Sequence, residues 1–302
     1  PAGSHFKIIA MNLFKLMYFL FAIGLFSQCT TVNSSSSTQT NTQIIPVRPQ
    51  SISFAGEVVP LDKHYVLERL DRELLVNNFW HSNSILVLKR AAKYFPIIEP
   101  ILQENGIPDD FKYLAVIESG LTHVTSPAGA EGFWQFMPQT ARDYGLEVNG
   151  DIDERLHLIK ATESAAAYLI DAYAEFGNWT LAAAAYNAGV QRIKSSLEKQ
   201  QTKSYYDLHL NEETTRYMYR ILATKLIFES PERYGFVIPK AQTYPFPKTK
   251  LVKVGISPID WVAYAKSQNM SYADLREMNP WIKGYQLSNW NNTEYEIRVL
   301  VD

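Results

Sequence analysis

The sequence predicts a mainly α-helical domain followed by a small α+β module. Between residues 60 and 234 the apolar side chains recur mostly at helical spacing, and no stretch there alternates convincingly like a β-strand. After a proline-rich segment, the pattern changes to strand, helix, helix and strand. A chain of 302 residues exceeds what one hydrophobic core usually spans, so more than one folded part is expected.

The helical spacing divides into separate segments. Pro96 and Pro100 fall in the second segment and are expected to kink or divide it, because proline lacks the N–H of a helix interior. The predicted helices span residues 63–80, 83–105, 110–120, 138–144, 160–176, 180–198 and 212–228; the module has strands at 250–254 and 295–301 and helices at 258–267 and 272–278.

The N-terminal segment is predicted to lie outside the folded parts. Lys15 precedes an apolar run at residues 16–26, which leads to Cys29. This order resembles a bacterial lipoprotein signal, in which the cysteine is acylated, although Gln28 stands where a small residue is usual. The alternative is an uncleaved N-terminal anchor. Residues 11–29 are interpreted as this signal and residues 30–60 as a flexible tether.

Composition narrows the classes of function. The net charge of −2 does not favour a nucleic-acid surface, and a single cysteine excludes an internal disulfide framework. The histidines have no zinc-ligand spacing, so neither a metal nor a cofactor is expected. The predicted boundaries are 61–235 for the helical domain, 236–247 for a linker and 248–302 for the module.

Glu118 is the candidate acid. Pro108 and two aspartates suit the start of its helix, and Gly120 suits the end. Glu118 shares the apolar face of Phe111 and Leu114, and it falls in the last turn, where the helix dipole disfavours a carboxylate. Both effects raise its pKa, as a general acid near neutral pH requires. A buried structural ion pair is the alternative.

Two further segments carry candidate binding residues. Residues 126–138 read SPAGAEGFWQFMP, a loop whose glycines permit close backbone approach and whose Gln135 offers a donor and an acceptor to an acetamido group. Residues 179–189 read WTLAAAAYNAG, an alanine-rich helix that ends in the polar pair Tyr186 and Asn187 and a glycine stop at Gly189. The alternative is that the alanines only allow close helix packing.

Taken together, these motifs resemble the family 1 lytic transglycosylases, and the membrane-bound D-type branch in particular. Glu118-Ser119, the 126–141 segment and 185–189 occur in the family's order, and residues 213–217 (ETTRY) match its late motif. The resemblance implies a catalytic domain similar to goose-type lysozyme, with Glu118 as catalytic acid/base. It also implies that the glycan is contacted by Ser126, Gln135, Met137, Tyr186, Asn187, Glu213 and Tyr217. Leu121 and Thr122 replace the more usual Phe-Asn pair.

The C-terminal module resembles a divergent LysM repeat, a small glycan-binding fold. Its two helices and the Asn279-Pro280 turn match, whereas Gly255-Ile256-Ser257 replaces the usual Gly-Asp-Thr signal. The alternative is a capping module that binds nothing. Residues 149–154 (NGDIDE) faintly resemble a calcium loop, but helix capping is the preferred interpretation because the loop glycine and distal glutamate are misplaced.

The resemblance implies a one-acid mechanism on peptidoglycan glycan strands, in the bacterial cell envelope and near a membrane. Glu118 would protonate the bond between N-acetylmuramic acid and N-acetylglucosamine, and the C6 hydroxyl would close a 1,6-anhydro ring. Glu131, the nearest possible second carboxylate, is interpreted as a solvated loop charge. Two alternatives stay open: a lysozyme-like hydrolase and a non-catalytic scaffold that binds the cell wall.

Overall fold

The computed structural model describes residues 45–255, 258–288 and 293–301. The α-helices are α1 His64–Phe79, α2 His81–Glu104, α3 Lys112–Ser119, α4 Pro138–Asp143, α5 Leu158–Phe176, α6 Trp179–Ala188, α7 Val190–Gln200, α8 Glu212–Glu229, α9 Trp261–Ser267 and α10 Tyr272–Met278. The strands are β1 Ser53–Phe54, β2 Glu57–Val58, β3 Thr249–Val254, β4 Ile259–Asp260, β5 Gln286–Leu287 and β6 Tyr295–Leu300. The predicted fold class, mainly helical with a small α+β module, is confirmed.

The helical body is arranged around α6. This helix contacts α5, α7 and α8, and its run Ala182–Ala185 is completely buried. Because alanine side chains are small, the neighbouring helix backbones approach closely without voids. The short helix α3 packs against α2 and α8, which brings the end of α3 to the middle of the body. The candidate acid Glu118 lies at that end.

The structure corrects part of two predictions about helix boundaries. Pro96 and Pro100 do not divide α2, whose buried Val87, Ala91 and Ile98 anchor the helix in the core on both sides of the first proline. The predicted helix 180–198 is two helices, separated at the predicted glycine stop, because Gly189 adopts a φ of +87° between α6 and α7. That backbone conformation is open to glycine and interrupts the i to i−4 hydrogen bonding.

Residues 45–60 differ from the expected flexible tether. Residues 53–58 of this segment form the β1–β2 hairpin, which buries Phe54 completely in the helical body. The backbone N–H of Ala55 donates to Asp110 Oδ2 at 2.7 Å, and Glu57 accepts the N–H groups of Trp179 and Thr180 at the start of α6. Composition alone predicted a tether because these contacts are with residues far along the chain. The predicted signal, Cys29 and residues 30–44 lie outside the described residues.

The C-terminal module has the predicted order with one addition. Strands β3 and β6 pair antiparallel, from Thr249 opposite Leu300 to Val254 opposite Tyr295; α10 packs on β6, and α9 packs on α10. A second pair of strands was not predicted, because each strand has only two residues. In this pair, β4 lies just before α9 in the chain, and β5 follows α10. The prediction of strand, helix, helix, strand therefore describes the outer elements only.

The module packs directly on the helical body. Ile152, which precedes α5 in the chain, is completely buried within the hydrophobic cluster of the module and forms a β-bridge with Ile282. The predicted linker 236–247 also packs on the body, since the Phe236 ring stacks on His81 and the Tyr244 N–H donates to Lys89 O. Within the described ranges, we find no helix both long and apolar enough to cross a membrane.

Candidate active site

Glu118 is held at the C-terminal end of α3. Gly120 ends this helix with a left-handed φ of +59°. The guanidinium of Arg220 donates to Ile117 O at 2.7 Å, and that of Arg90 donates to Gly120 O at 3.1 Å. Two cations therefore satisfy carbonyl groups at the negative end of the helix dipole, which fixes the position of the Glu118 backbone.

The carboxyl group of Glu118 is partly buried and hydrogen-bonded. The Tyr217 hydroxyl donates to Glu118 Oε1 at 2.6 Å, from the completely buried face of α8. Burial raises the pKa of Glu118 above its ordinary value; the Tyr217 hydrogen bond and the Arg220 charge oppose this rise, and the Glu213 charge adds to it. No salt bridge to Glu118 occurs among the described residues. Glu118 is therefore not part of a structural ion pair among the described residues, and its pKa is shifted in the direction that a general acid requires.

Residues 124–137, which we call the substrate loop, curve across the body as a short hairpin. Bridges join Thr125 with Glu131 and Glu131 with Phe136. Ser126 Oγ accepts the Ala130 N–H at 2.9 Å, so its predicted binding role coexists with a role in the turn.

Gln135 and Met137 are placed differently from each other. Gln135 has a φ of +49°, and its Nε2 donates to Val124 O and Gly132 O. The amide donor that we expected to reach an acetamido group is therefore used inside the loop. Met137 is 43% exposed at the end of the loop, where a ligand can reach it.

Glu131 is not the solvated charge that we expected. Its carboxylate is half-buried and accepts the Thr125 hydroxyl at 2.8 and 2.9 Å. Arg155 Nη2 lies 4.0 Å away. The contacts of the Glu131 carboxylate with Thr125 and Arg155 therefore stabilise the hairpin.

The end of α6 meets α8 and the substrate loop. The Tyr186 hydroxyl donates to Trp134 O at 2.7 Å, and burial raises the pKa of this hydroxyl well above its ordinary value. Asn187 Oδ1 accepts the Thr214 hydroxyl at 2.9 Å, and its Nδ2 donates to Glu213 Oε1 at 3.4 Å. The structure thus brings Glu213 and Asn187 into contact, and Tyr217 and Glu118 into contact.

A cavity of about 800 Å³ opens beside the end of α3. Ser119 and Thr122 line it next to Glu118, and Glu213, Arg216 and Arg220 line it from α8. Its size lies in the range of small-molecule binding sites. The chain neighbours Ile117 and Ser119 line this cavity, whereas Glu118 itself and the substrate loop do not.

Sequence reasoning missed the two charged residues that organise this region, Arg220 and Arg155. Arg220 contacts the end of α3 from a helix about a hundred residues later, which no local pattern reveals. Arg155 donates to Gly129 O and Phe136 O in the substrate loop. Arg155 directly follows residues 149–154, which we interpreted as helix capping, and that interpretation gave it no role.

Residues 149–154 have a structural use. Asp153 does cap the following 3₁₀ turn, Glu154–Leu156, as predicted. Asn149 Oδ1 accepts the N–H groups of Asp151 and Ile152, and Asp151 Oδ2 accepts the N–H of Ser288 in the module. In the part of the chain that is described, no group of three or more His, Cys, Asp or Glu side chains is placed to hold a metal ion.

Comparison with known families defines the class of protein. Residues 95–209 match the family described as "Transglycosylase SLT domain", and residues 250–300 match "Soluble lytic transglycosylase C-terminal LysM-like domain". The chain therefore carries a transglycosylase SLT domain, which contains Glu118 and the substrate loop, followed by a LysM-like domain of the soluble lytic transglycosylases. The resemblance inferred from the motifs is confirmed.

Two individual proteins match a longer part of the chain than the family models do. The chain is 30% identical over 208 residues to "Membrane-bound lytic murein transglycosylase D" of Escherichia coli (strain K12), and equally to that protein of an O6:H1 strain. The match covers 67% of this chain and 45% of each relative, so the chain spans about half the length of the curated relatives it matches.

Two solved structures also align with part of the chain. An inactive mutant of lytic transglycosylase Slt from Pseudomonas aeruginosa has 21% identity and a TM-score of 0.40, covering 51% of this chain and 26% of its own. The 70 kDa soluble lytic transglycosylase of Escherichia coli has 24% identity and a TM-score of 0.38, covering 46% of this chain and 24% of its own.

Proposed function

We propose that this chain is a peptidoglycan lytic transglycosylase that cleaves the β-1,4 bond between N-acetylmuramic acid and N-acetylglucosamine. The observation that carries the proposal is the partly buried carboxyl group of Glu118, whose pKa is raised by burial and which accepts the Tyr217 hydroxyl, within the segment that matches the SLT domain. The names of the curated relatives agree with this activity.

The chemistry needs one acid that works twice. Protonated Glu118 gives its proton to the bridging oxygen, and the C1–O4 bond breaks through an oxocarbenium-like state. The resulting carboxylate then takes the proton of the C6 hydroxyl of the same sugar, whose oxygen bonds to C1. The products are a 1,6-anhydro end and a free 4-hydroxyl, and Glu118 is protonated again. An internal nucleophile supplies a high effective concentration without a second carboxylate.

The other members of the site bind or position. Tyr217 orients the Glu118 carboxyl through its 2.6 Å hydrogen bond. Glu213 and Asn187 form a polar pair close to it, and Met137 offers an exposed thioether surface to a sugar face. Ser126, Gln135 and Tyr186 shape the substrate loop, and each retains acceptor capacity for the glycan.

Digestion of purified sacculi tests this function. We expect the released fragments to end in 1,6-anhydromuramic acid, one water lighter in mass than the fragments of a hydrolase. Fragments with reducing ends would support the lysozyme-like alternative. Binding to sacculi without release of fragments would support the non-catalytic scaffold.

Tyr217→Phe tests the environment of the acid. Because the hydroxyl donates to the carboxylate and holds its pKa down, we expect the pKa of Glu118 to rise further and the alkaline limb of the pH–kcat/KM profile to move to higher pH. The kcat/KM at the pH optimum should fall about tenfold, as expected for the loss of one strong hydrogen bond.

Tyr219→Phe is the matched control. Tyr219 lies on the same helix, but its ring packs against Tyr205 and Tyr206. We expect its profile to coincide with that of the unsubstituted chain. A limb that moves to lower pH in Tyr217→Phe would contradict the assigned role of the hydroxyl.

We also propose that the protein acts in the bacterial cell envelope, held at a membrane by residues 11–29 through acylated Cys29 or an uncleaved anchor. The support is the apolar run that ends at this cysteine, together with relatives whose names describe them as membrane-bound. The partner is then the glycan strand itself, reached from an anchored position.

A further inference from the structure

Arg155 is the most extensively bonded charged side chain next to the substrate loop. It is 6% exposed, and its Nη1 donates to Gly129 O at 2.8 Å and to Phe136 O at 3.1 Å. These two carbonyl groups lie on opposite arms of the hairpin, on either side of Glu131. A single planar guanidinium therefore joins both arms of the loop.

The loop also rests on the backbone of Arg155. Gly132 has a φ of +79°, and a Cβ built on it would lie 2.1 Å from the carbonyl oxygen of Arg155. A glycine is thus required at position 132 for two reasons: the Arg155 carbonyl oxygen leaves no space for a side chain, and the backbone is in the left-handed conformation. The side chain and the main chain of one residue together determine the shape of the loop.

Arg155 is itself held by Asp153. The Asp153 carboxylate is 3% exposed and accepts Arg155 Nε at 2.9 Å and Nη2 at 2.7 Å. This bidentate geometry fixes the plane of the guanidinium. Because both charges are buried, removal of Arg155 leaves the Asp153 carboxylate without its ionic partner, whereas Arg155 also has Glu131 4.0 Å away.

Asp153 in turn is bonded to the C-terminal module. Its N–H donates to Trp281 O at 2.8 Å, and the Lys283 N–H donates to Asp151 O at 2.9 Å. Ile152 lies between these two residues, with its side chain in the module core. A continuous set of contacts therefore runs from the module through residues 151–155 to the substrate loop.

We propose that Arg155 is a positioning residue that holds the substrate loop in its glycan-binding shape, and that the docked C-terminal module supports the loop through residues 151–153. The module then contributes to glycan affinity as part of the scaffold of the active site, whether or not it binds glycan itself. This inference rests on the proposed function only in assigning glycan binding to residues 124–137.

Arg155→Met in the full chain is the first test. Hydrogen exchange of the amides in residues 124–137, measured without substrate, should become faster, because the Gly132 and Glu131 amides are hydrogen-bonded within the loop. With soluble glycan strands, KM should rise about tenfold. The pH midpoint that reports Glu118 should not move, since Arg155 makes no contact with that residue among the described bonds.

Arg142→Met is the matched control. Arg142 donates to Val148 O, next to the same segment, and not to the substrate loop. Exchange in the loop and KM should both stay within twofold of the unsubstituted chain. Arg155→Lys should be intermediate, because an ammonium group cannot reproduce the planar two-sided contact. If Arg155→Met does not fold, Asp153→Asn, which keeps an acceptor oxygen, should show the same two changes.

Ile152→Ala tests the contribution of the module. It should accelerate exchange in residues 124–137 and raise KM, although Ile152 packs in the module core, and the double variant with Arg155→Met should be no worse than Arg155→Met alone. Faster exchange confined to residues 248–302 would overturn the coupling. A folded Arg155→Met protein with unchanged exchange and KM would overturn the positioning role. If the unsubstituted chain releases no glycan fragments, the proposed function fails, while the exchange measurement still decides this inference.

Discussion

Glu118→Gln should lower the rate of glycan release by about 10²- to 10⁴-fold while the fold stays intact. The amide cannot donate the proton that the leaving oxygen needs. The amide oxygen can still accept the Tyr217 hydroxyl, so the local hydrogen bond survives. Initial rates on sacculi and circular dichroism of the purified variant check both parts.

Glu175→Gln is the matched control for this substitution. Glu175 is a surface carboxylate that pairs with Lys194 at 2.6 Å, remote in function from the site. Its activity should equal that of the unsubstituted chain. A Glu118→Gln protein with near-normal turnover would remove the basis of the mechanism.

The effect of Glu118→Gln on the stability of the fold should depend on pH. Because burial raises the pKa of folded Glu118 above its unfolded value, the folded state binds the proton more tightly. The contribution of Glu118 is then fully present below the unfolded pKa and is lost as the pH rises through the folded pKa. Above that pH, Glu118→Gln should unfold at a higher temperature than the unsubstituted chain, and the advantage should disappear in acid.

Gly132→Ala should destabilise the protein by about 2–5 kcal/mol, from the left-handed backbone conformation together with the steric conflict. The added Cβ would lie 2.1 Å from the Arg155 carbonyl oxygen, so the backbone must move. The same movement displaces the substrate loop, and KM for glycan should rise. Urea unfolding and steady-state kinetics measure the two effects.

Gly129→Ala separates the cost of the left-handed backbone conformation from the cost of the steric conflict. Gly129 has a φ of +87° in the same loop, but a Cβ there would meet nothing within 4 Å. Only the conformational cost of about 1–2 kcal/mol should remain. Equal destabilisation by the two alanines would contradict the claim that close approach to Arg155 requires the glycine.

The sequence predicted those parts of the fold that depend on local pattern. The helical spacing of apolar residues, together with the capping residues, predicted α3 and placed Glu118 in its last turn. Alternation of apolar and polar residues predicted β3 and β6. The motif 179–189 correctly predicted a glycine stop at Gly189, whereas the apolar spacing alone predicted one helix across 180–198, because that spacing continues past a residue whose φ is +87°. The β1–β2 hairpin was missed because its stability comes from Asp110 and the start of α6.

The candidate site was predictable only in part for the same reason. The helix position and burial of Glu118 followed from its own segment, whereas Tyr217, 99 residues away, entered only through family resemblance. The contacts of Arg155 with Gly129 and Phe136 span 26 and 19 residues and follow no periodic spacing. Long-range polar contacts depend on how helices and loops meet, which local pattern does not specify.

Digestion of sacculi in water enriched in heavy oxygen tests the one-acid mechanism most directly. If Glu118 delivers the proton and the sugar's own C6 oxygen closes on C1, no heavy oxygen should enter the new muramic acid ends, whose mass should equal that of the product made in ordinary water. Heavy oxygen bonded to C1 of those ends during cleavage would mean that water is the nucleophile, and the mechanism proposed for Glu118 would be wrong.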